Sequence, residues 1–279
     1  MLHTGPRPDS PGPVDYGDRV KIALMDSGIG LLAAAAAVRR LRPDAELVIS
    51  NDPDGMPWGP RTPEGVTERA LAVARAAAAL EPDALVIACN TASVHSLPAI
   101  RAALEPEIPV IGTVPAIKPA AVGGEPFAIW ATPATTGSPY QRGLIREFAD
   151  GVHVTEVPCP GLAEAVEHAD DAAIDRAVAV AAALTPPEVR TVVLGCTHYE
   201  LVAERIRTAL RPDGGPLTFF GSAEAVAAQG LRRAGILPAP EAPQVGGLTV
   251  LLSGRVGTLP DVALAYPEGR LLQAVSPAR

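Results

Sequence analysis

Ala84-Leu85-Val86-Ile87-Ala88-Cys89-Asn90-Thr91 and Thr191-Val192-Val193-Leu194-Gly195-Cys196-Thr197-His198 carry nearly the same pattern twice. In each, β-branched and aliphatic residues run into a small residue, a cysteine, and then small polar groups. A short apolar run bounded by turn residues reads as a buried strand of a parallel sheet, because such strands are covered on both faces. Each cysteine then falls at the carboxyl end of its strand, where open α/β sheets hold their ligands. Two such ends facing each other would set two thiols across one cleft.

The chain around these stretches has the same logic. Val20 to Met25 is an apolar strand that enters Asp26-Ser27-Gly28-Ile29-Gly30. An alanine-rich helix to about Leu41 and a strand from Glu46 to Ser50 follow. Strand, turn, helix, strand is a βαβ unit and implies parallel pairing. The loop from Asn51 to Pro63 is dense in Asp, Pro and Gly and contains Pro57-Trp58-Gly59. Loops of that length in compact domains are more often functional than idle. A helix from Pro63 to Leu80 leads to the first cysteine strand, and another after Cys89 leads to a strand at Ile108 to Gly112.

Near Thr113 to Pro115 the pattern restarts. It gives a strand at Phe127 to Trp130, a polar turn at Ala131 to Ser138, a helix at Tyr140 to Phe148 and a strand at Val152 to Val157. An acidic helix at Leu162 to His168 and an alanine-rich helix at Asp170 to Leu184 then lead to the second cysteine strand. The two halves read as a weak internal duplication. A strand and helix from Phe219 to Gly230 and a last strand at Leu248 to Leu252 return to the first half. The expected fold is α/β, with two pseudo-symmetric lobes, each a mainly parallel sheet flanked by helices, and an active site in the cleft between them. The expected division is a disordered tail over 1–19, a first lobe over 20–114 plus 212–279, and a second lobe over 115–211.

Composition narrows the chemistry. A chain of 279 residues is long enough for one large or two modest domains. A net charge of −8 and no basic stripe argue against direct nucleic-acid binding. Only Lys21 and Lys118 are available for a Schiff base, which disfavours pyridoxal chemistry. No apolar run approaches the roughly 20 residues of a membrane span, and the stretch from Met1 to Asp18 has no signal-peptide core. Three cysteines, Cys89, Cys159 and Cys196, lack metal-finger spacing and suit free thiols in a reducing cytoplasm, with no metal site expected.

A thiol acts as base or nucleophile once it is a thiolate, a form favoured at helix N-termini and beside cations. Both cysteines sit at strand-to-helix turns. His198 follows Cys196 by two residues, and Asp26-Ser27 should end a strand next to that of Cys89. Two thiols across a cleft suit racemisation or epimerisation without a cofactor: one removes a proton from carbon and the other returns one to the opposite face. The competing reading is that a cysteine at a buried strand end is a small core residue. Polar residues after both cysteines, a threonine in each case, argue against it. Cys159 has only Pro160 for company and is assigned to the core, and His95 and His153 are read as ordinary helix and strand residues. Asp26 as a helix cap and Trp58 as a surface anchor are the plain alternatives for those two.

Asp26-Ser27-Gly28-Ile29-Gly30, Pro57-Trp58-Gly59, Cys89-Asn90-Thr91-Ala92-Ser93 and Gly195-Cys196-Thr197-His198-Tyr199, in that order, resemble the glutamate racemases of the aspartate/glutamate racemase superfamily. The similarity runs from about Val20 to Gly254. It implies cofactor-independent, two-base racemisation of glutamate at Cα. Cys89 with Asp26 would serve the D side, Cys196 with His198 the L side, and Glu167 would be a carboxylate near the second cysteine. Ser27, Pro57, Trp58, Gly59, Asn90, Thr91, Thr135 and Thr197 would bind the amino acid. The resemblance also implies a homodimer that supplies D-glutamate for peptidoglycan. The chain departs from the family pattern at Leu31 (glycine is usual), at Trp58 (tyrosine is usual), along the loop from Asn51 to Arg61, and at Glu200 (proline is common). Aspartate or another dicarboxylate therefore stays open as substrate, as does a racemase-derived, non-catalytic binding or regulatory protein. Retention of both cysteines with Asp26 and His198 favours the enzyme.

Overall fold

The computed structural model describes residues 19–274, so the tail expected over 1–19 lies, but for Arg19, outside the described residues. The first half runs β1 (Lys21–Asp26), α1 (Leu32–Leu41), β2 (Glu46–Asn51), α2 (Pro63–Ala78), β3 (Ala84–Ile87), α3 (Asn90–Leu104) and β4 (Val110–Gly112). The second runs α4 (Ile117–Ala121), β5 (Phe127–Ala131), α5 (Pro139–Phe148), β6 (Val154–Pro158), α6 (Leu162–Glu167), α7 (Asp171–Ala183), β7 (Thr191–Leu194), α8 (Thr197–Glu200), α9 (Ala203–Leu210) and β8 (Thr218–Phe220). The chain closes with α10 (Ala223–Arg233), β9 (Leu248–Leu252), β10 (Arg255–Gly257) and α11 (Pro267–Gln273).

Local chemistry starts the helices where the sequence changes character. Thr62 accepts from the Gly65 N–H ahead of Pro63, and Ser138 accepts from the Gln141 N–H ahead of Pro139. Asp170 caps α7 through the Ala173 N–H. Each pairs a side-chain oxygen with an otherwise unpartnered N–H, and proline in the first turn gives up no bond.

Two sheets result. The first has the order β10-β9-β2-β1-β3-β4 and is parallel except for β10, and the second has the order β6-β5-β7-β8 and is wholly parallel. Within each half the strands lie second, first, third, fourth, which gives the internal duplication a geometric form. β1 and β5 each stand beside the strand that leads to a cysteine. The order reverses at those pairs, so each sheet opens a crevice at the carboxyl ends of β1–β3 and of β5–β7.

The assignment of 212–279 to the first lobe needs correction. Thr218, Phe219 and Phe220 pair with Thr191, Val192 and Val193, so β8 is the edge of the second sheet and the return comes after Phe220. A three-residue apolar strand carries no mark of which sheet it will join; its hydrogen-bonding neighbour decides. α10 then crosses to pack on α1 and β3.

Period-two alternation sorts the side chains into three layers. Ile22, Leu24, Val86, Trp130, Val192 and Leu194 face a central core shared by both lobes. Ala23, Met25, Leu85 and Ile87 face the layer under α2 and α3, and Phe127, Ile129 and Val193 face the one under α4 and α5. The buried alanines of α1 let that helix sit close to α10 and α11. No helix among the described residues is long and apolar enough to cross a membrane.

The loop after β2 is fastened by one buried carboxylate. Asp52 accepts from the Trp58 indole N–H at 2.9 Å, from Arg69 Nε at 2.8 Å and Nη2, and from the Ser253 hydroxyl at 2.9 Å. Burial alone would raise its pKa, but these donors outweigh burial and hold it below the usual carboxylate value. Asp52→Ala leaves the Arg69 charge and the buried indole N–H without their partner. Urea denaturation at pH 7 is expected to register a loss of about 2–4 kcal/mol. A change under about 0.5 kcal/mol, the usual range for uninvolved surface positions, would show that the loop is held by other contacts.

Candidate active site

Asp26 and Cys89 come together because β1 and β3 are adjacent and in register, with Met25 opposite Ile87. Cys196 reaches the same space from the other lobe, two residues past β7. Asn90 ties the two turns directly: its side-chain Nδ2 donates to the Gly195 carbonyl at 2.8 Å, a buried bond from the residue after one cysteine to the residue before the other.

The cavity between the lobes has a volume of about 490 Å³. Its walls include Asp26, Cys89, Glu167, Cys196 and His198. They also include Ser27, Pro57, Trp58, Gly59, Asn90, Thr91, Thr135 and Thr197, so every catalytic and substrate-binding residue expected from the sequence lies on this one surface.

The glycine turn after β1 is shaped by what packs on it. A Cβ at Gly28 would overlap the Glu167 carboxylate, and one at Gly30 would crowd Asp26, Thr197 and His198. Glu167 Oε2 accepts from the Ile29 backbone N–H at 2.9 Å and meets His198 Nε2 at 2.7 Å. The opposite ring nitrogen, Nδ1, lies 3.8 Å from the Cys196 sulfur. Asp26 Oδ1 accepts from the Ser27 backbone N–H at 2.6 Å, and its Oδ2 lies 3.5 Å from the Thr197 hydroxyl. Asp26 is the last residue of β1 and caps no helix.

The two thiols sit in different surroundings. Cys89 is buried and Cys196 is partly exposed. Burial, and then the neighbouring Asp26, push the Cys89 thiol well above its ordinary pKa; the Ala92 backbone N–H lowers it less than these raise it. The sequence-based expectation that a helix N-terminus would favour the thiolate is therefore overridden at Cys89. Desolvation outweighs the peptide dipoles there. Burial also raises Asp26, to about 6, against the lowering by His198 and Cys89. Burial would lower His198, but its bonds to Cys196 and Glu167 reverse this, and its pKa stands well above the ordinary value. The cavity thus places beside one sulfur an imidazole that holds its proton more tightly than usual, and beside the other a carboxyl group that does the same.

Trp58 is buried, not a surface anchor. Its indole N–H is committed to Asp52, so toward the cavity it offers an apolar ring. Cys159 is buried and its thiol is pushed up to about 12, chiefly by burial, yet it also lines the cavity. His95 and His153 are exposed and away from it. Thr132 was not singled out from the sequence; it lines the cavity and bonds Thr135 at 3.2 Å. A small polar residue in the turn after β5 was the available signal. Among the described residues, no group of three or more His, Cys, Asp or Glu is arranged to hold a metal ion.

Because Asp26 binds its proton more tightly in the folded chain, its contribution to stability is full below the ordinary value of 3.8 and is lost as pH rises through about 6. Asp26→Asn removes the buried charge and keeps an oxygen for the Ser27 N–H. It is expected to stabilise the fold by about 1–3 kcal/mol at pH 8, with the gain shrinking as pH falls toward 4. Chemical denaturation at the two pH values measures this; a variant no more stable than the parent at pH 8 would contradict the assigned burial cost.

Comparison with known proteins agrees with this geometry. The family profile for Asp/Glu/hydantoin racemases matches residues 30–230. The glutamate racemase of Roseiflexus sp. is 37% identical over 224 residues, covering 76% of this chain and 81% of that protein. That of Pectobacterium carotovorum is 35% identical over 224 residues, covering 76% of each. Among solved structures, Escherichia coli glutamate racemase in complex with L-glutamate and the activator UDP-MurNAc-Ala superposes with a TM-score of 0.72 at 28% identity, covering 93% of this chain and 96% of that one. Glutamate racemase isoform RacE1 from Bacillus anthracis gives 0.66 at 31% identity, covering 83% and 87%. With the matched profile spanning both cysteine turns, the chain belongs to the Asp/Glu/hydantoin racemase family.

Proposed function

We propose that this protein interconverts L- and D-glutamate, with one thiol removing the Cα proton and the other returning a proton to the opposite face. The observation that carries the reading is the meeting of two cysteine turns from two lobes in one cavity, each thiol with its own proton-handling partner. Its relatives named glutamate racemase supply the substrate.

In the L-to-D direction, the Cα–H bond breaks and its proton passes to the Cys196 sulfur as thiolate. The electron pair left on Cα spreads into the α-carboxylate, and the Cys89 thiol then gives its proton to the other face. His198, held by Glu167, offers an N–H to negative charge on the Cys196 sulfur. In the reverse direction Asp26 takes the Cys89 proton and His198 gives its own to the Cys196 sulfur; the Cys89 thiolate then removes the Cα proton, and the Cys196 thiol returns a proton to the opposite face. Positioned acids and bases of this kind contribute about 10²- to 10⁴-fold each. The hydroxyls of Ser27, Thr91, Thr135 and Thr197 can donate to the two carboxylates. Asn90, whose N–H is spent on Gly195, offers its buried and otherwise unpartnered Oδ1 to the ammonium group. Trp58 closes the wall as an apolar surface. No step calls for a cofactor.

The family likeness extends the proposal to supply of D-glutamate for peptidoglycan by a cytoplasmic homodimer. The free thiols suit a reducing compartment, and the net charge of −8 suits a protein that does not bind nucleic acid directly.

Cys89→Ala and Cys196→Ala are each expected to cut racemisation of glutamate by at least about 10²-fold, with circular dichroism unchanged. Polarimetry with L- and D-glutamate, and with aspartate as the competing substrate, checks this. Undiminished turnover in either variant would overturn the two-thiol mechanism, and faster turnover of aspartate would overturn the substrate.

A further inference from the structure

Glu200 ends the four-residue helix that begins directly after Cys196, and its carboxylate leaves that helix to meet α10. Oε1 accepts from the Ser222 N–H at 2.8 Å, the Ser222 hydroxyl at 3.0 Å and the Ala223 N–H at 3.2 Å. Ser222 makes no side-chain cap of its own on α10, so Glu200 supplies the anion that this helix start favours. α10 in turn lies on β3: Val226, Ala227 and Leu231 share the central core with Val86 and Ala88, just before Cys89. A continuous path therefore runs from the Cys196 turn through Glu200 and α10 to the strand that carries Cys89.

We propose that Glu200 is a positioning residue: by capping α10 from the Cys196 turn, it fixes that turn relative to the Cys89 strand and so sets the alignment of the two thiols. The kinetic part of this proposal rests on the two-thiol reading above. The Asn90–Gly195 bond joins the same two turns directly, and Glu200 joins them through α10, so the second cysteine turn is held at two points. Burial pushes the Glu200 carboxyl up, and the Ser222 and Ala223 donors oppose this, which marks the group as enclosed in the fold and not a surface charge.

Most of the bonds converge on one oxygen, which separates two variants. Glu200→Gln keeps an acceptor for Ser222 and Ala223, and Glu200→Ala removes it. Glu200→Ala is expected to lower kcat for glutamate by about 10–100-fold with KM changed less than about 3-fold, since a misplacement near 1 Å costs on that order. Glu200→Gln should restore most of the loss. The second readout is alkylation by iodoacetamide, followed cysteine by cysteine by mass spectrometry. Cys196 should react several-fold faster in Glu200→Ala, with Cys159 unchanged. Equal acceleration at all three cysteines would mean general loosening and would overturn the positioning role, as would unchanged kcat together with unchanged Cys196 reactivity. The alkylation arm needs no substrate, so it decides the structural claim even where the racemase reading fails.

Discussion

The bond from the Asn90 amide to the Gly195 carbonyl, 2.8 Å long and buried, is the constraint on which the site depends. Each lobe has its own sheet, and each sheet opens a crevice at its own reversal of strand order. Neither crevice alone brings Cys89 and Cys196 together. A single amide reaching from the turn of one lobe to the turn of the other makes the two crevices one cavity. Glu167 adds a second crossing, since it bonds both the Ile29 N–H of the first lobe and His198 of the second. The glycines of the first turn are required because these crossings bring side chains onto its backbone.

The two halves repeat a strand order but not an electrostatic environment. Cys89 is enclosed, and its neighbour is a carboxylate that is itself raised by burial. Cys196 is more open, and its neighbour is an imidazole that binds its proton more tightly than usual. Under the proposed two-thiol mechanism this asymmetry is useful, because one sulfur must begin without a proton while the other begins with one. The duplication supplies two sulfurs at equivalent strand ends, and unequal burial and unlike neighbours give them different surroundings.

Much of this was legible in the sequence, for physical reasons. The apolar runs ending in Cys89 and Cys196 encode strands buried on both faces, and the small residues beside them encode turns; both are local properties. Asp26 at a strand end neighbouring that of Cys89 is expected from the parallel strand–helix order, and β1 does pair with β3. What stayed hidden was long-range or short. Thr218-Phe219-Phe220 reads as a strand without revealing which sheet it joins. β10, with three exposed residues, has no pattern to read. The grip of Asp52 on Trp58, Arg69 and Ser253, and of Glu200 on Ser222 and Ala223, joins residues far apart in the chain. Sequence flagged Trp58 as a substrate-binding residue and a departure from a family pattern, and Glu200 only as a departure; their partners became visible with the fold.

The central claim is that the proton leaves to one sulfur and returns from the other. The measurement that addresses it most directly is the early course of reaction in deuterated water from L-glutamate alone, with each enantiomer separated and its Cα isotope read by mass spectrometry. Two separate thiols, the donor equilibrated with solvent, require D-glutamate to carry deuterium from its first appearance, while unreacted L-glutamate keeps its protium. Newly formed D-glutamate that retains protium, or L-glutamate that gains deuterium as fast as the product forms, would mean that one group serves both faces and would contradict the account.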